Sequence, residues 1–298
     1  MLTVFGTVAL DTTRTPFHTV ERTLGGTATF ASIAASNYVP TSIVGIVGND
    51  FPASYMEILK NRLDIRGLSI SETDKTFHYD SSFGYDLYKR TTNKTELNVI
   101  SNYQYTVPTA FVDSEYVYLA NNDPVQNMNL LDQVSHPKLV ICDTMDFWIL
   151  NKRDDVIKMI NKVDGIILNE SEARLLFKEN SILKCARLLV SNGPSFALIN
   201  RGENGSLLFY ENEFYPIPGY PTETIKDPTG AGDSFGGAFI GYLCTQGQIN
   251  SKSLKNAMIH GNIMGSFAIE DYGIQRLVNI GNKDIKQRYE KYKEILSL

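Results

Sequence analysis

Short apolar runs alternate with longer amphipathic segments along most of the chain. Positions 2–5, 42–47, 116–119, 139–142, 165–168 and 197–200 are rich in Val, Ile, Leu, Phe and Tyr with few polar interruptions. Such runs predict strands buried on both faces, as in a parallel sheet covered by helices. Amphipathic spacing predicts helices at 27–37, 51–62, 125–134, 154–161, 170–177 and 181–190, then at 233–246, 252–268 and 283–297. Strand–helix alternation indicates an α/β fold with a mostly parallel central sheet flanked by helices. No internal repeat or low-complexity linker divides residues 1–298, which read as one domain.

One stretch departs from this rhythm. Phe77, Tyr79, Phe83, Tyr85 and Leu87 fall on odd positions, and Leu97 and Val99 resume the alternation beyond the polar segment Thr91-Thr92-Asn93-Lys94. Period two with a polar break predicts a half-exposed antiparallel hairpin, either a small β flap or an edge hairpin of the main sheet.

Composition narrows the function classes. With 28 basic against 33 acidic residues the net charge is −5, so no basic field exists to hold a nucleic acid. The three cysteines Cys142, Cys185 and Cys244 are far apart and odd in number. They suggest neither a disulfide framework nor a CxxC site, and a reducing cytoplasm fits them best. The four histidines are equally scattered, and no HExxH occurs. The opening MLTVFGTVALD lacks a basic lead and reads as a strand rather than a signal peptide. No run approaches the ~20 apolar residues of a membrane span.

The segment Asp227-Pro228-Thr229-Gly230-Ala231-Gly232-Asp233-Ser234-Phe235-Gly236-Gly237 carries the candidate chemistry. A small-residue loop runs into a helix whose first N–H groups lack intrahelical partners and form an anion site. Gly230 and Gly232 keep Cβ atoms away from an approaching phosphate. Asp233 stands at the mouth of that nest, where a substrate hydroxyl would lie. By spacing alone the same loop could be a tight turn with Asp233 as helix cap. There is no GxxxxGK[ST], and the spacing GxGxxxG is not GxGxxG, so a P-loop NTPase and a Rossmann dehydrogenase both lose support.

DPTGAGDSFGGAFIGYL closely resembles the C-terminal signature of the PfkB/ribokinase family of carbohydrate and nucleoside kinases. The resemblance covers almost the whole chain and implies a ribokinase-like fold with a small β-sheet lid, contributed by about 12–24 and 72–107. Other segments match in order. Gly6-Thr7-Val8-Ala9-Leu10-Asp11 resembles a first strand ending in a substrate-binding Asp, and Leu24-Gly25-Gly26-Thr27 resembles the glycine pair that backs onto the substrate. Asn169-Glu170-Ser171-Glu172 fits the N-x-x-E element linked to magnesium, although the same letters spell a helix capping box. Asn200-Arg201-Gly202-Glu203-Asn204-Gly205 resembles the nucleotide-side turn, and the helix at 256–269 the one bordering the adenine.

The family often reads G-G-x-x-x-N, with the Asn on the substrate; here that position is Phe30, which leaves Thr27 or Thr29 to contribute. The resemblance implies an ATP- and Mg²⁺-dependent kinase that phosphorylates a sugar or sugar-like alcohol. A nucleoside kinase and a non-catalytic binder are the alternatives. In this reading Asp233 is the general base, and the Gly230, Ala231 and Gly232 N–H groups hold the phosphoryl group. Asp11, Gly25, Gly26 and Thr27 bind the acceptor, Asn200, Gly202 and Gly205 the nucleotide, and Asn169 and Glu172 the metal through water. A monovalent-cation requirement and a homodimer joined through the lid are both compatible with the family. At a helix N-terminus Asp233 is expected to be ionised at pH 7.

Overall fold

The computed structural model describes residues 1–101 and 103–297; Asn102, inside the expected lid range 72–107, and Leu298 lie outside the described residues. In chain order the first strands are β1 (Leu2–Phe5), β2 (Ala9–Arg14), β3 (Thr19–Gly25), β4 (Thr41–Val47), β5 (Asp64–Ile70), β6 (Phe77–Phe83) and β7 (Arg90–Glu96). Then come β8 (Tyr116–Leu119), β9 (Leu139–Asp143), β10 (Gly165–Asn169), β11 (Phe196–Asn200), β12 (Ser206–Tyr210) and β13 (Glu213–Ile217). The helices of the first half are α1 (Thr27–Ala35), α2 (Ala53–Arg62), α3 (Pro124–Leu131), α4 (Asp146–Asn151) and α5 (Arg153–Ile160). They continue as α6 (Glu170–Phe177), α7 (Ile182–Ser191), α8 (Ala231–Gln246), α9 (Ser251–Ala268), α10 (Gln275–Asn279) and α11 (Asn282–Leu296).

Nine strands form the main sheet in the order β13-β12-β11-β10-β9-β8-β1-β4-β5. Pairing is parallel from β11 through β5 and antiparallel in the β11–β12–β13 edge. The period of two sends alternate side chains to opposite cores. Leu139 and Ile141 of β9 join Tyr118 in a core with α1, α8 and α9, whereas Val140 and Cys142 join Leu119 in a core with α5, α6 and α7. Every expected buried strand is present because burial on both faces makes its signal local.

A second sheet has four strands in the order β3-β2-β6-β7. It contains the expected hairpin, with two corrections. The turn lies between Phe83 and Arg90, and Thr91-Thr92-Asn93-Lys94 is not the break but part of strand β7. Asp11 is not at the end of the first strand, which stops at Phe5; it sits within β2, in the small sheet. β2 pairs in parallel with β6, so the hairpin is held by a neighbour rather than standing alone.

Register defines the faces of this sheet. Asp11 pairs with Tyr79 and Thr13 with Ser81, while Thr13 Oγ1 lies 3.3 Å from Thr229 Oγ1 of the small-residue loop. The face bearing Asp11, Thr13, Phe77, Tyr79 and Phe83 is therefore turned toward that loop. The opposite face carries Arg14 bonded to Asp80 and His78 bonded to Thr12 and Glu96.

Candidate active site

Parallel strands ending at one edge of a sheet leave a crevice at their carboxyl ends. Here β8, β9, β10 and β11 deliver Asn121, Asp143, Asn169 and Asn200 to that edge. The loop before α8 closes the crevice from one side and the small sheet from the other.

The loop is built on Asp227, only 1% exposed. Its carboxylate accepts N–H bonds from Thr229 (2.9 Å) and Gly273 (3.5 Å), which bends the chain into α8. Gly230 is the N-cap, with φ 75° and ψ 3°, a left-handed conformation suited to glycine. Asp233 is thus the third residue of the helix and not its cap. The Ala231 N–H is turned to Pro228 O at 3.3 Å, whereas Gly232 and Asp233 sit where N–H groups lack intrahelical acceptors. A Cβ at Gly232 would meet nothing within 4 Å. Folding therefore places no demand for glycine there.

Phe30 explains itself once the loop is seen. Its ring, 1% exposed, lies against Gly230 and supports the loop, so it does not replace an acceptor-binding amide. Thr27 is at the expected place, yet its hydroxyl donates to Asn121 O (2.8 Å) and accepts from Thr7 N (3.2 Å). It ties β1, α1 and β8 together. Thr29 Oγ1 is buried without a partner.

Asp11 Oδ2 accepts from Gly26 N at 3.1 Å, and a Cβ on Gly25 would stand 1.9 Å from the same oxygen. The glycine pair thus lets a carboxylate lie flat on backbone. Burial pushes Asp11 up to about 7, against the pull of the Gly26 N–H.

Burial likewise pushes Asp233 up to about 7, and the positive charge of Arg90 acts against that rise. At about 7 Asp233 is part ionised at pH 7, less than the helix N-terminus alone would give, because desolvation acts against it. Asp143, at the end of β9, is held well above the carboxylate range by burial and by its neighbours Asp233 and Glu172. Sequence reading missed Asp143, although an acid closing a buried apolar run was a usable signal.

Asn169 and Glu172 form the capping box. Asn169 Oδ1 accepts from Glu172 N (2.9 Å), and Glu172 Oε2 accepts from Asn169 N (2.8 Å). One carboxylate oxygen remains over, on a side chain 8% exposed and pushed up to about 7 by burial. Asn200 pairs with Asn169 across β10 and β11, and its Oδ1 is buried without a partner. Gly202 (φ 56°) and Gly205 (φ 83°) shape the following turn, and Arg201 Nε bonds Glu170 Oε2 (3.2 Å) to anchor it to α6. Tyr88, from the turn of the small sheet, reaches this segment: its ring is 3.6 Å from where a Gly202 Cβ would be.

The crevice thus holds an open helix N-terminus, a partly exposed carboxylate beside it, and buried oxygens on both flanks. A family model described as pfkB family carbohydrate kinase matches residues 3–279, and the chain belongs to that family. A cytidine kinase of Thermococcus kodakarensis is 29% identical over 251 residues, 80% of this chain and 87% of that protein. A nucleoside kinase of Methanothermobacter thermautotrophicus is 25% identical over 264 residues, 84% of this chain and 79% of that protein. Among solved structures, the nucleoside kinase of Methanocaldococcus jannaschii, described as an archaeal member of the ribokinase family, superposes with TM-score 0.78. It is 21% identical and covers 97% of this chain and 98% of its own. A Burkholderia thailandensis nucleoside kinase in complex with inosine gives 0.79 at 18% identity, covering 98% and 97%. The protein is a phosphotransferase with a hydroxyl acceptor on a ribokinase-like fold. Among the described residues, no helix is long and apolar enough to cross a membrane.

Proposed function

We propose that the protein is an ATP-dependent nucleoside kinase, a finer reading than sugar kinase. The observation that carries it is the face of the small sheet turned toward the loop, where Phe77 and Tyr79 lie beside Asp11 and Phe83 follows further along β6. A carboxylate suits ribose hydroxyls, and aromatic rings suit the flat, apolar face of a base. The names of the cytidine and nucleoside kinase relatives support the same choice. In this reading the small sheet is a lid that excludes water from phosphoryl transfer.

Phosphoryl transfer asks mainly for positioning and charge stabilisation. Asp233 accepts the proton of the acceptor hydroxyl. The N–H groups of Gly232 and Asp233, with Gly230, hold the phosphoryl oxygens, and Asn200, Gly202 and Gly205 lie along the nucleotide. The donor set near the phosphates is all oxygen, which suits Mg²⁺. Among the described residues no three His, Cys, Asp or Glu side chains converge as a metal cage, so Glu172 and Asn169 would act through waters. Bound there, the ion supplies positive charge to the nucleotide phosphates.

An ATP-consumption assay over nucleosides, deoxynucleosides, ribose, fructose and inositol tests the reading. Turnover with a nucleoside at least tenfold above any free sugar in kcat/KM is the expected result. A preference for a free sugar would return the assignment to carbohydrate kinase.

A further inference from the structure

Asp11, Asp143, Glu172 and Asp233 line the crevice without converging on one point: Asp143 feels Asp233 and Glu172, and Asp11 feels Asp233. One cation acts on three of them: Arg90, whose field favours the charged forms of Asp11, Glu172 and Asp233. Arg90 opens strand β7 of the small sheet, opposite Phe83. Its guanidinium lies 5.6 Å from the centre of the Tyr79 ring, and Nη2 is 3.7 Å from Asp146 Oδ1, three residues after Asp143. The side chain thus spans from the small sheet to the rim of the crevice, 40% exposed and weakly held.

Its face is not an accident of the strand. Tyr79 pairs with Thr95, but Ser81 pairs with Thr92 and Phe83 with Arg90, so Asn93 is an extra residue in β7. That bulge reverses the direction of every residue on its far side. Without it Phe83 would face Thr91, and Arg90 would point away from the acids. The bulge is fastened: Asn93 Nδ2 donates to Asp80 Oδ1 (2.8 Å), and its Oδ1 accepts from Ser82 Oγ (3.1 Å). The other arginines and the lysine of these strands are occupied elsewhere, Arg14 with Asp80, Arg22 with Asp50 and Lys94 with Glu96.

We propose that Arg90 is a catalytic residue whose guanidinium binds the phosphoryl group in transit, facing the loop Gly230–Asp233 from the small sheet. The proposal rests on the phosphotransferase reading but not on the choice of acceptor. In the step, the acceptor oxygen bonds to the γ-phosphorus as the bond from that phosphorus to the β,γ-bridging oxygen breaks. The bridging oxygen leaves with the electron pair on ADP, and the hydroxyl proton passes to Asp233. Negative charge on the transferred oxygens is then met by backbone N–H groups on one side and by a planar, permanently charged fork on the other. The acids of this crevice that ionise as pH rises through about 7 would otherwise oppose the approach of a phosphate.

The test compares Arg90→Gln and Asp146→Asn in the full chain. Arg90→Gln is expected to lower kcat by roughly 10²–10³-fold, the usual loss for one donor at a transition state, with acceptor KM changed by less than about threefold. Added guanidinium should restore part of that rate. Asp146→Asn, which removes the resting partner and keeps the cation, should leave kcat within about threefold. Calorimetry with Mg²⁺, ADP and aluminium fluoride supplies a readout that needs no acceptor. Arg90→Gln should weaken the aluminium fluoride complex at least about tenfold, with ADP alone unchanged. If Asp146→Asn reproduces the loss, Arg90 is only a latch and the proposal fails. Equal binding of the aluminium fluoride complex by wild type and Arg90→Gln overturns it as well. Absence of nucleoside turnover in the wild type would sink the nucleoside reading, while the aluminium fluoride comparison still decides Arg90.

Discussion

The ring of Phe30 lies so close to the backbone of Gly230 that a β-carbon on Gly230 would stand 2.3 Å from Phe30 Cδ1. A helix core residue therefore sets the height of the loop before α8. Two causes combine at Gly230, the left-handed φ of 75° and the ring beneath it. Gly230→Ala should destabilise the fold by about 1–3 kcal/mol and cut kcat at least tenfold. Adding Phe30→Ala should return part of the activity, because the two sites share one contact and their effects will not add. Thermal melts and initial rates of the four proteins in this cycle check the point.

Gly232 is the contrasting case, open to solvent and free of any neighbour a Cβ would strike. Gly232→Ala removes a helix-weakening glycine and should raise stability by up to about 1 kcal/mol. The same methyl group would enter the space of the proposed phosphate site, so kcat/KM for ATP should fall at least tenfold. A variant that is both more stable and fully active would place the phosphoryl group elsewhere.

Asp233→Asn keeps shape and removes the proposed proton acceptor, and kcat should fall by roughly 10²–10⁴-fold. Burial holds Asp233 near 7, so wild-type kcat/KM should decline tenfold per pH unit below about pH 7. Stability runs the other way. Asp11, Glu172 and Asp233 each keep a proton in the folded state to about 7, above their unfolded values of 3.8 to 4.5. The folded state thus binds more protons between those limits, and its stability is full at low pH and lost as pH rises through 7. Melting of the ligand-free protein should occur at higher temperature at pH 5.5 than at pH 8, with a smaller difference in Asp233→Asn.

Glu172 completes a capping box, and one substitution separates that cap from the proposed role toward Mg²⁺. Gln at the third helical position still completes a capping box. Glu172→Gln should therefore melt within about 1 kcal/mol of wild type while requiring several-fold more Mg²⁺ for half-maximal rate. An unchanged Mg²⁺ requirement would leave Glu172 with the cap alone.

The chain by itself determined the α/β class, six buried parallel strands of the main sheet and the helix opening at the GAGD segment; the buried β12 was not among them. These are local signals: strands buried on both faces are apolar throughout, and a loop of Gly and Ala before a helix exposes its N–H groups wherever the helix packs. Strands β2, β5 and β7 escaped that reading because ALDTTR, DIRGLSI and RTTNKTE take their strand form from neighbours rather than from their own apolar content. Asp11, Gly25, Gly26 and Asp233 were legible as residues, but their chemistry was not. Whether an acid holds its proton near neutrality depends on the protein packed around it, and those neighbours come from distant positions, as Asp233 does for Asp11. Tertiary structure alone decided that Phe30 supports Gly230, that Thr27 is committed to Asn121, and that one extra residue in β7 turns Arg90 inward. A register shift of one residue leaves no mark in composition or periodicity, yet it selects which face of a sheet meets the reacting atoms.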